Sequence, residues 1–279
     1  MDNLSSSIFT IERRKKFPEA FNHFFEDLKT IVINSKGKHY SMFEYLNRCL
    51  RYWPHRCGAI SIDGYLKDIG VDITDPKNDK DLLLALELLI NLLKWVPEQY
   101  SNDYYSGFST ELKNVVEDEA ERLLENAEYL LEQCCNMTVR EEDDDVFPMY
   151  FITKRNAQVD SAIIAAPELK NTLLGYLDIR NADDYKYKKS ALNTIYGYME
   201  PHRKEYKAIA CSSVSEEFFT SMNTFGIRHN TKSQIRLQTN KKKSVCDKLF
   251  LMSVFVLQTS EVNNYKNELK TIREEHKSK

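Results

Sequence analysis

Apolar residues recur at three-to-four spacing along most of the chain, which is the pattern of amphipathic α-helices. In the first half this pattern predicts helices at 17–32, 40–52, 63–69, 81–96 and 112–134. The segment 81–96 is apolar nearly all round, so we expect neighbouring helices to enclose it. Acidic residues of 112–134 fall mostly off the apolar stripe, which favours a solvated face.

The same spacing predicts a second set of helices in the last third of the chain. These are expected at 167–179, 185–207, 213–225 and 245–257. Pro201 should kink or interrupt its helix, because proline has no N–H and clashes with the preceding turn. Ser213 and Glu216 fit a capping box, and Gly226 fits the glycine that ends a helix. The polar tail from 263 onwards is expected to fray.

One segment has a β pattern. Residues 149–153 and 158–164 are rich in β-branched and aromatic side chains and flank a polar turn at 154–156, which predicts a β-hairpin. The sequence therefore predicts a mainly α protein, with two helical bundles joined through one small β-hairpin. The expected divisions are an N-terminal helical domain at 1–145, a hairpin connector at 146–165 and a C-terminal bundle with a charged tail at 166–279.

Charge is distributed unevenly within a total of only −3 over 279 residues. Segment 111–145 has 13 acidic and three basic residues, whereas 228–279 has 12 basic and five acidic ones. A basic block of this kind suits a phosphate backbone, and it is equally typical of a solvated helix face. Charge alone does not separate the two interpretations.

Location and cofactors are constrained by what the sequence lacks. The start of the chain has no apolar run typical of a signal peptide, and the longest apolar stretch is shorter than a membrane span. The six cysteines form no CxxC pair and no zinc-finger spacing, which indicates reduced thiols. We therefore predict a cytoplasmic protein that uses no membrane, metal or cofactor.

Candidate chemistry is concentrated in the run Phe225–Asn230, between two predicted helices. Arg228 has a cationic fork suited to phosphate, His229 can exchange protons near neutral pH, and Asn230 can orient either group. These three are the candidate catalytic residues. In the alternative interpretation, Arg228 and His229 bind carbonyl groups at the end of the preceding helix, where cations are favoured.

The run Gly226-Ile227-Arg228-His229-Asn230 after an aromatic helix also carries a family resemblance. Together with Glu200-Pro201-His202-Arg203, it resembles the HEPN-like C-terminal domains of abortive-infection (AbiJ-type) bacterial phage-defence proteins and related bacterial proteins. The resemblance covers about 168–260 and implies a four-helix bundle. Active HEPN domains are metal-independent ribonucleases that commonly form dimers.

The resemblance implies an RNA partner and either a homodimer or a partner protein of the defence system. Arg228 matches the motif arginine and His229 the polar residue beside it. The motif's second histidine would fall near Ser233 or Gln234 and is missing, so either His229 acts in its place or the domain binds RNA or a partner without cutting. Cations expected to attract the RNA backbone are Lys232, Arg236, Lys241, Lys242 and Lys243. The alternative function is a non-catalytic helical module that binds or senses a protein partner.

Overall fold

A computed structural model describes residues 8–30, 32–35, 38–101, 110–141, 148–208, 212–228, 235 and 238–277. The chain divides into two compact units, Met1–Arg155 and Asn156–Lys279. The helices of the first unit are α1 (Ile8–Thr30), α2 (Met42–Leu50), α3 (Ile62–Asp68), α4 (Asp79–Ser101) and α5 (Thr110–Leu130). Those of the second are α6 (Ala157–Ala165), α7 (Lys170–Leu177), α8 (Tyr185–Met199), α9 (Arg203–Ala208), α10 (Ser212–Thr224) and α11 (Thr239–Lys277). The prediction of a mainly α protein is confirmed.

The core of the first unit forms around α4. Its side chains from Leu82 to Val96 are nearly all buried, as the all-round apolar pattern predicted. The predicted stripe of α1 is buried as well, at Phe17, Phe21 and Leu28. Helix α2 begins at a capping box, in which Ser41 accepts from the backbone N–H of Glu44 and the Glu44 carboxylate accepts from that of Ser41.

The described residues of the first unit form two antiparallel hairpins. Strands β1 (Val32–Ser35) and β2 (Lys38–Ser41) form one, and β3 (Met137–Glu141) and β4 (Tyr150–Lys154) form the other. The first of these was not predicted from the sequence. The second differs from the prediction, because the strand at 150–154 pairs with residues before it in the chain, and 158–164 belongs to α6.

The second predicted strand of this hairpin, 158–164, is helical because of a local hydrogen-bond pattern. The side chain of Asn156 accepts hydrogen bonds from the backbone N–H groups of Gln158 and Val159, which is an N-cap. Val159 and Ala162 then lie three residues apart and are both buried. Val159, one of the β-branched residues that suggested a strand, thus lies on the inner face of a helix, whereas Ile164 is exposed. The local cap and burial of this face outweigh the weak β preference of these residues.

The second unit is a helical bundle around α8 and the first half of α11. The apolar and tyrosine residues that give 185–207 its helical spacing are all buried in it, namely Leu192, Ile195, Tyr196, Met199 and Tyr206. Tyr176 of α7 stacks on Phe250 of α11 with ring centroids 3.9 Å apart.

The interruption at Pro201 is confirmed, because α8 ends at Met199 and α9 begins at Arg203. The prediction of a frayed tail is wrong, since α11 continues to Lys277.

Because both units contain a buried thiol, we expect each unit to lose stability at alkaline pH. Burial raises the pKa of Cys49 to about 12 and that of Cys246 to about 11. Because the unfolded chain releases these protons at lower pH than the folded one, the stabilisation is complete below about pH 9 and is lost as pH rises through the folded pKa values. We expect the free energy of unfolding, measured by urea titration, to fall steeply between pH 9 and 12.

Two alanine variants check this assignment. The free energy of unfolding of Cys49→Ala should fall less steeply with pH than that of the wild type. The difference in slope should be about 1.4 kcal/mol per pH unit over that range, which is the contribution of one proton. Cys57→Ala is the matched control, because Cys57 is exposed. Equal slopes for the wild type and Cys49→Ala would contradict the assignment to Cys49.

Candidate functional site

A stripe of polar side chains runs along one face of α8 and ends at its C-cap. The stripe consists of Lys189, Asn193, Tyr196 and Glu200, spaced four, three and four residues apart. This spacing places all four on one side of the helix. We call these residues the α8 polar stripe, and every one of them contacts the segment Gly226–Arg228 that follows α10.

Helix α10 ends in a Schellman motif that fixes this segment. Gly226 has φ +65°, and its N–H donates to the carbonyl of Asn223. The N–H of Ile227 donates to the carbonyl of Met222, and the Ile227 side chain is fully buried. The predicted role of Gly226 is confirmed, because a residue with a side chain rarely adopts this backbone conformation. The start of α10 differs slightly from the prediction, as it begins at Ser212 and Glu216 pairs with Lys207.

The first two residues of the α8 polar stripe hold the backbone of this segment. Lys189 Nζ donates to the carbonyl of Gly226 at 2.9 Å, and Asn193 Nδ2 donates to the carbonyl of Ile227 at 3.1 Å. Carbonyl groups just beyond a helix end have no partner within the helix, so these side chains satisfy two acceptors that would otherwise need water. The path of the chain at 226–227 is therefore fixed to α8.

The last two residues of the stripe bind the side chain of Arg228. Its Nη1 and Nη2 donate to the two carboxylate oxygens of Glu200, each at 2.8 Å, and Nη1 also donates to the Tyr196 hydroxyl at 2.7 Å. The guanidinium carbon lies 4.4 Å from the centre of the Tyr196 ring. The Tyr196 hydroxyl in turn donates to Glu200 at 2.9 Å. Both terminal nitrogens of Arg228 are thus engaged in a bidentate, charge-assisted pair.

The charged pair is only partly shielded from solvent. The side chain of Arg228 is 32% exposed and that of Glu200 is 38% exposed. Tyr196 is buried beneath them, and burial, followed by the Glu200 carboxylate, raises the pKa of its hydroxyl. The hydroxyl therefore stays protonated at neutral pH and can donate to Glu200 while it accepts from Arg228.

The structure brings only some of the predicted site residues together. His229, Asn230, Lys232 and Arg236 lie outside the described residues. Arg228 is described, and its side chain binds Glu200 and Tyr196 rather than the helix-end carbonyls considered above.

The remaining candidates, Lys241, Lys242 and Lys243, lie at the beginning of α11. Lys243 pairs with Asp183 at 2.5 Å, and the Lys242 ammonium lies 5.3 Å from the centre of the Tyr185 ring. Lys241 is exposed. The first turn of α11 contains no acidic residue. The positive charges of the three lysines therefore lie at the positive end of the helix dipole, where they repel it. The positive charge of this turn is balanced only in part, by the pairing of Lys243 with Asp183.

A second polar cluster links α7, α8 and α11. Lys188 Nζ donates to Asp247 Oδ1 at 2.6 Å, and the Tyr176 hydroxyl donates to the same oxygen at 3.1 Å. The Lys188 side chain is only 6% exposed, against 41% for Asp247. Burial, with Asp247 next in importance, raises the pKa of Tyr176. This cluster was missed from the sequence, because its members lie on three separate helices.

The described residues contain neither a cluster of metal-ligating side chains nor a helix of membrane-spanning character. No three His, Cys, Asp or Glu side chains of that part of the chain lie close enough to hold a metal ion. None of its helices combines the length and the apolar character that a membrane crossing requires.

Comparison with protein-family models, with curated proteins and with solved structures found no match. The likeness of 168–260 to HEPN-like domains therefore stays a prediction from the sequence. What the structure adds is a segment at 226–228 that four side chains of α8 hold in place.

Proposed function

We propose that this protein is a bacterial anti-phage effector of the abortive-infection type, whose C-terminal unit binds or cleaves RNA through the segment beginning at Arg228. The observation that supports this most is the α8 polar stripe. Four polar side chains hold three consecutive residues, more than a helix end requires for capping. Residues that act on a ligand need such support, because a loosely held side chain spends little time in the productive position and orientation.

In this proposal Arg228 is a positioning residue. Its fork is engaged by Glu200, so it fixes the start of the segment that carries His229 and Asn230. His229 accepts the proton of a ribose 2′-hydroxyl as O2′ forms a bond to phosphorus and the bond from phosphorus to O5′ breaks. The leaving 5′-oxygen takes up a proton, and no metal is needed. Asn230 orients the reacting groups, and the lysines at 241–243 attract the RNA backbone.

The test is incubation of the purified protein with total RNA, in the presence and absence of EDTA. We expect cleavage that EDTA does not inhibit and that His229→Ala reduces by about a hundredfold or more, the usual contribution of a general base. His202→Ala is the matched control, because His202 belongs to the same unit and its side chain is 52% exposed. Cleavage that His229→Ala leaves unchanged would overturn the catalytic role, and RNA binding without cleavage would leave a binding function.

A second candidate function is a non-catalytic helical module that binds a protein partner. The specific observation in its favour is the bidentate pair of Arg228 with Glu200, which occupies the groups that a phosphate would need. In that case Arg228→Ala and Glu200→Ala should each lower the thermal midpoint, while neither they nor His229→Ala alter RNA binding. Comparing RNA retention on a filter with the melting curve for the same variants separates the two functions.

A further inference from the structure

Helix α11 is much longer than the other helices of its unit. It has 39 residues, which corresponds to about 58 Å at 1.5 Å per residue. Among the described side chains of the helix, the last buried one is Leu257. Beyond Thr259, every described side chain of the helix is exposed, at 265, 266, 268–271 and 273. A helical stretch of about 18 residues whose described side chains are all exposed is marginal in isolation, so a partner would stabilise it.

Exposed apolar residues of α11 follow a seven-residue repeat. Leu251, Phe255, Tyr265 and Leu269 are between 44% and 52% exposed. Leu251 and Tyr265 occupy heptad position d, and Phe255 and Leu269 occupy position a, which is the seam of a two-stranded coiled coil. The sequence continues the seam with Val262 at a and Ile272 at d. We call these positions the α11 seam, and Gln258 at d is its polar member.

Charges beside the seam indicate what occupies it. Lys266 and Arg273 are at position e, and Glu261, Glu268 and Glu275 are at position g. In a parallel pair, each g residue faces the e residue five positions further along the partner helix, which sets Glu268 against Arg273. An antiparallel pair would set g against g and e against e, so like charges would meet. One helix thus carries both halves of the complementary pattern, and an identical helix in parallel orientation fits it.

We propose that the α11 seam joins two copies of this chain in a parallel coiled coil. The interface is isologous, since the same apolar positions meet across a twofold axis. It buries the exposed apolar side chains of 251–272 and stabilises the part of α11 that leaves the bundle. The proposal rests on α11 alone and holds whether or not the protein acts on RNA.

Sedimentation equilibrium of the full chain tests the seam. We expect a dimer that dissociates on dilution and that Leu269→Glu weakens by roughly tenfold or more, because it places two charges in the seam. Thr271→Glu is the matched control, since it adds the same charge to an exposed residue at position c, away from the seam. A wild-type chain that stays monomeric up to about 100 µM would overturn the proposal. So would a dimer that Leu269→Glu leaves intact.

Charge reversal tests the parallel orientation independently of folding. Glu268→Lys and Arg273→Glu should each weaken the dimer several-fold, and the double variant should recover most of the wild-type affinity. Within one helix the neighbours of a residue are three and four positions away. Recovery between positions 268 and 273 would therefore come from the partner helix. The parallel register would be excluded if each single variant weakened the dimer and the double variant weakened it further.

Discussion

Replacing Asp247 by alanine is expected to lower the free energy of unfolding of the C-terminal unit by about 3 kcal/mol. The Lys188 ammonium is almost completely buried, and Asp247 is its carboxylate partner at 2.6 Å. Removing one member of such a pair leaves a charge with neither water nor counter-charge around it. We place the effect at the low end of the range for broken buried pairs, because Asp247 itself is 41% exposed.

The loss should be recoverable without restoring any charge. A triple variant with Lys188→Met, Asp247→Leu and Tyr176→Phe removes the cation, the anion and the hydroxyl that donates to it. Exchanging a buried polar group and all its partners for apolar side chains of similar shape is often neutral. We therefore expect the triple variant to recover most of the stability lost in Asp247→Ala.

Urea unfolding monitored by circular dichroism measures both effects. Lys186→Met is the matched control, because Lys186 is an exposed lysine of the same helix, and it should change stability by no more than about 0.5 kcal/mol. If Asp247→Ala were as stable as the wild type, Lys188 would have to reach water or another partner, and the cluster would not be a structural element.

Periodicity alone predicted most of the helices, because each buries one continuous face of its own residues. Helix α1 shows this, since its stripe of Phe17, Phe21 and Leu28 is buried. Helix α4 is the exception that its sequence also indicates, because its apolar residues occur on all sides and nearly all of them are buried. Pairing of strands was not predictable in the same way. The partner of 150–154 is 137–141, a segment in which the sequence pattern predicted no strand. Hydrophobic spacing contains no information about which strand a distant segment joins.

The sequence identified the segment of the candidate site that follows α10, but it did not identify the α8 side chains that support this segment. The spacing of Gly226 and Arg228 after an aromatic helix identified the segment, since a glycine C-cap is a local signal. Its supporting residues were missed, although Lys189, Asn193 and Glu200 stand four and seven residues apart on a helix. That pattern is equally typical of a solvated face, and only the packing of α10 against α8 distinguishes the two. Tyr196 was correctly predicted to be buried, without its polar contact.

Asn91 is expected to be as important to the first unit as Asp247 is to the second. Strand β4 has one edge paired with β3, and its other edge is bound by side chains of α4. Asn91 Oδ1 accepts from the N–H of Tyr150 at 2.8 Å, while Nδ2 donates to the carbonyl of Tyr150 at 2.6 Å. Glu87 accepts from the N–H of Ile152 at 2.7 Å. These contacts cover a strand edge that would otherwise be open to pairing with another chain.

Asn91→Leu should therefore lower the free energy of unfolding by about 2 to 4 kcal/mol, because it leaves both backbone groups of Tyr150 unpaired in a site where Asn91 is only 3% exposed. Asn91→Asp is the sharper variant. Its second carboxylate oxygen would face the carbonyls of Tyr150 and Glu87, so only the protonated acid can donate there. The folded pKa of the new carboxyl would be raised well above its ordinary value by burial and by these acceptors.

Because that pKa is raised, the Asn91→Asp protein should be nearly as stable as the wild type below about pH 4 and should lose stability as pH rises through the folded value. The difference in free energy of unfolding between variant and wild type, measured by urea titration from pH 4 to 8, should therefore grow with pH. Asn114→Asp is the matched control, since Asn114 is exposed on α5 and its difference should stay flat. A flat difference for Asn91→Asp would mean that the amide of Asn91 does not donate to these carbonyls, and that packing rather than hydrogen bonding holds β4 against α4.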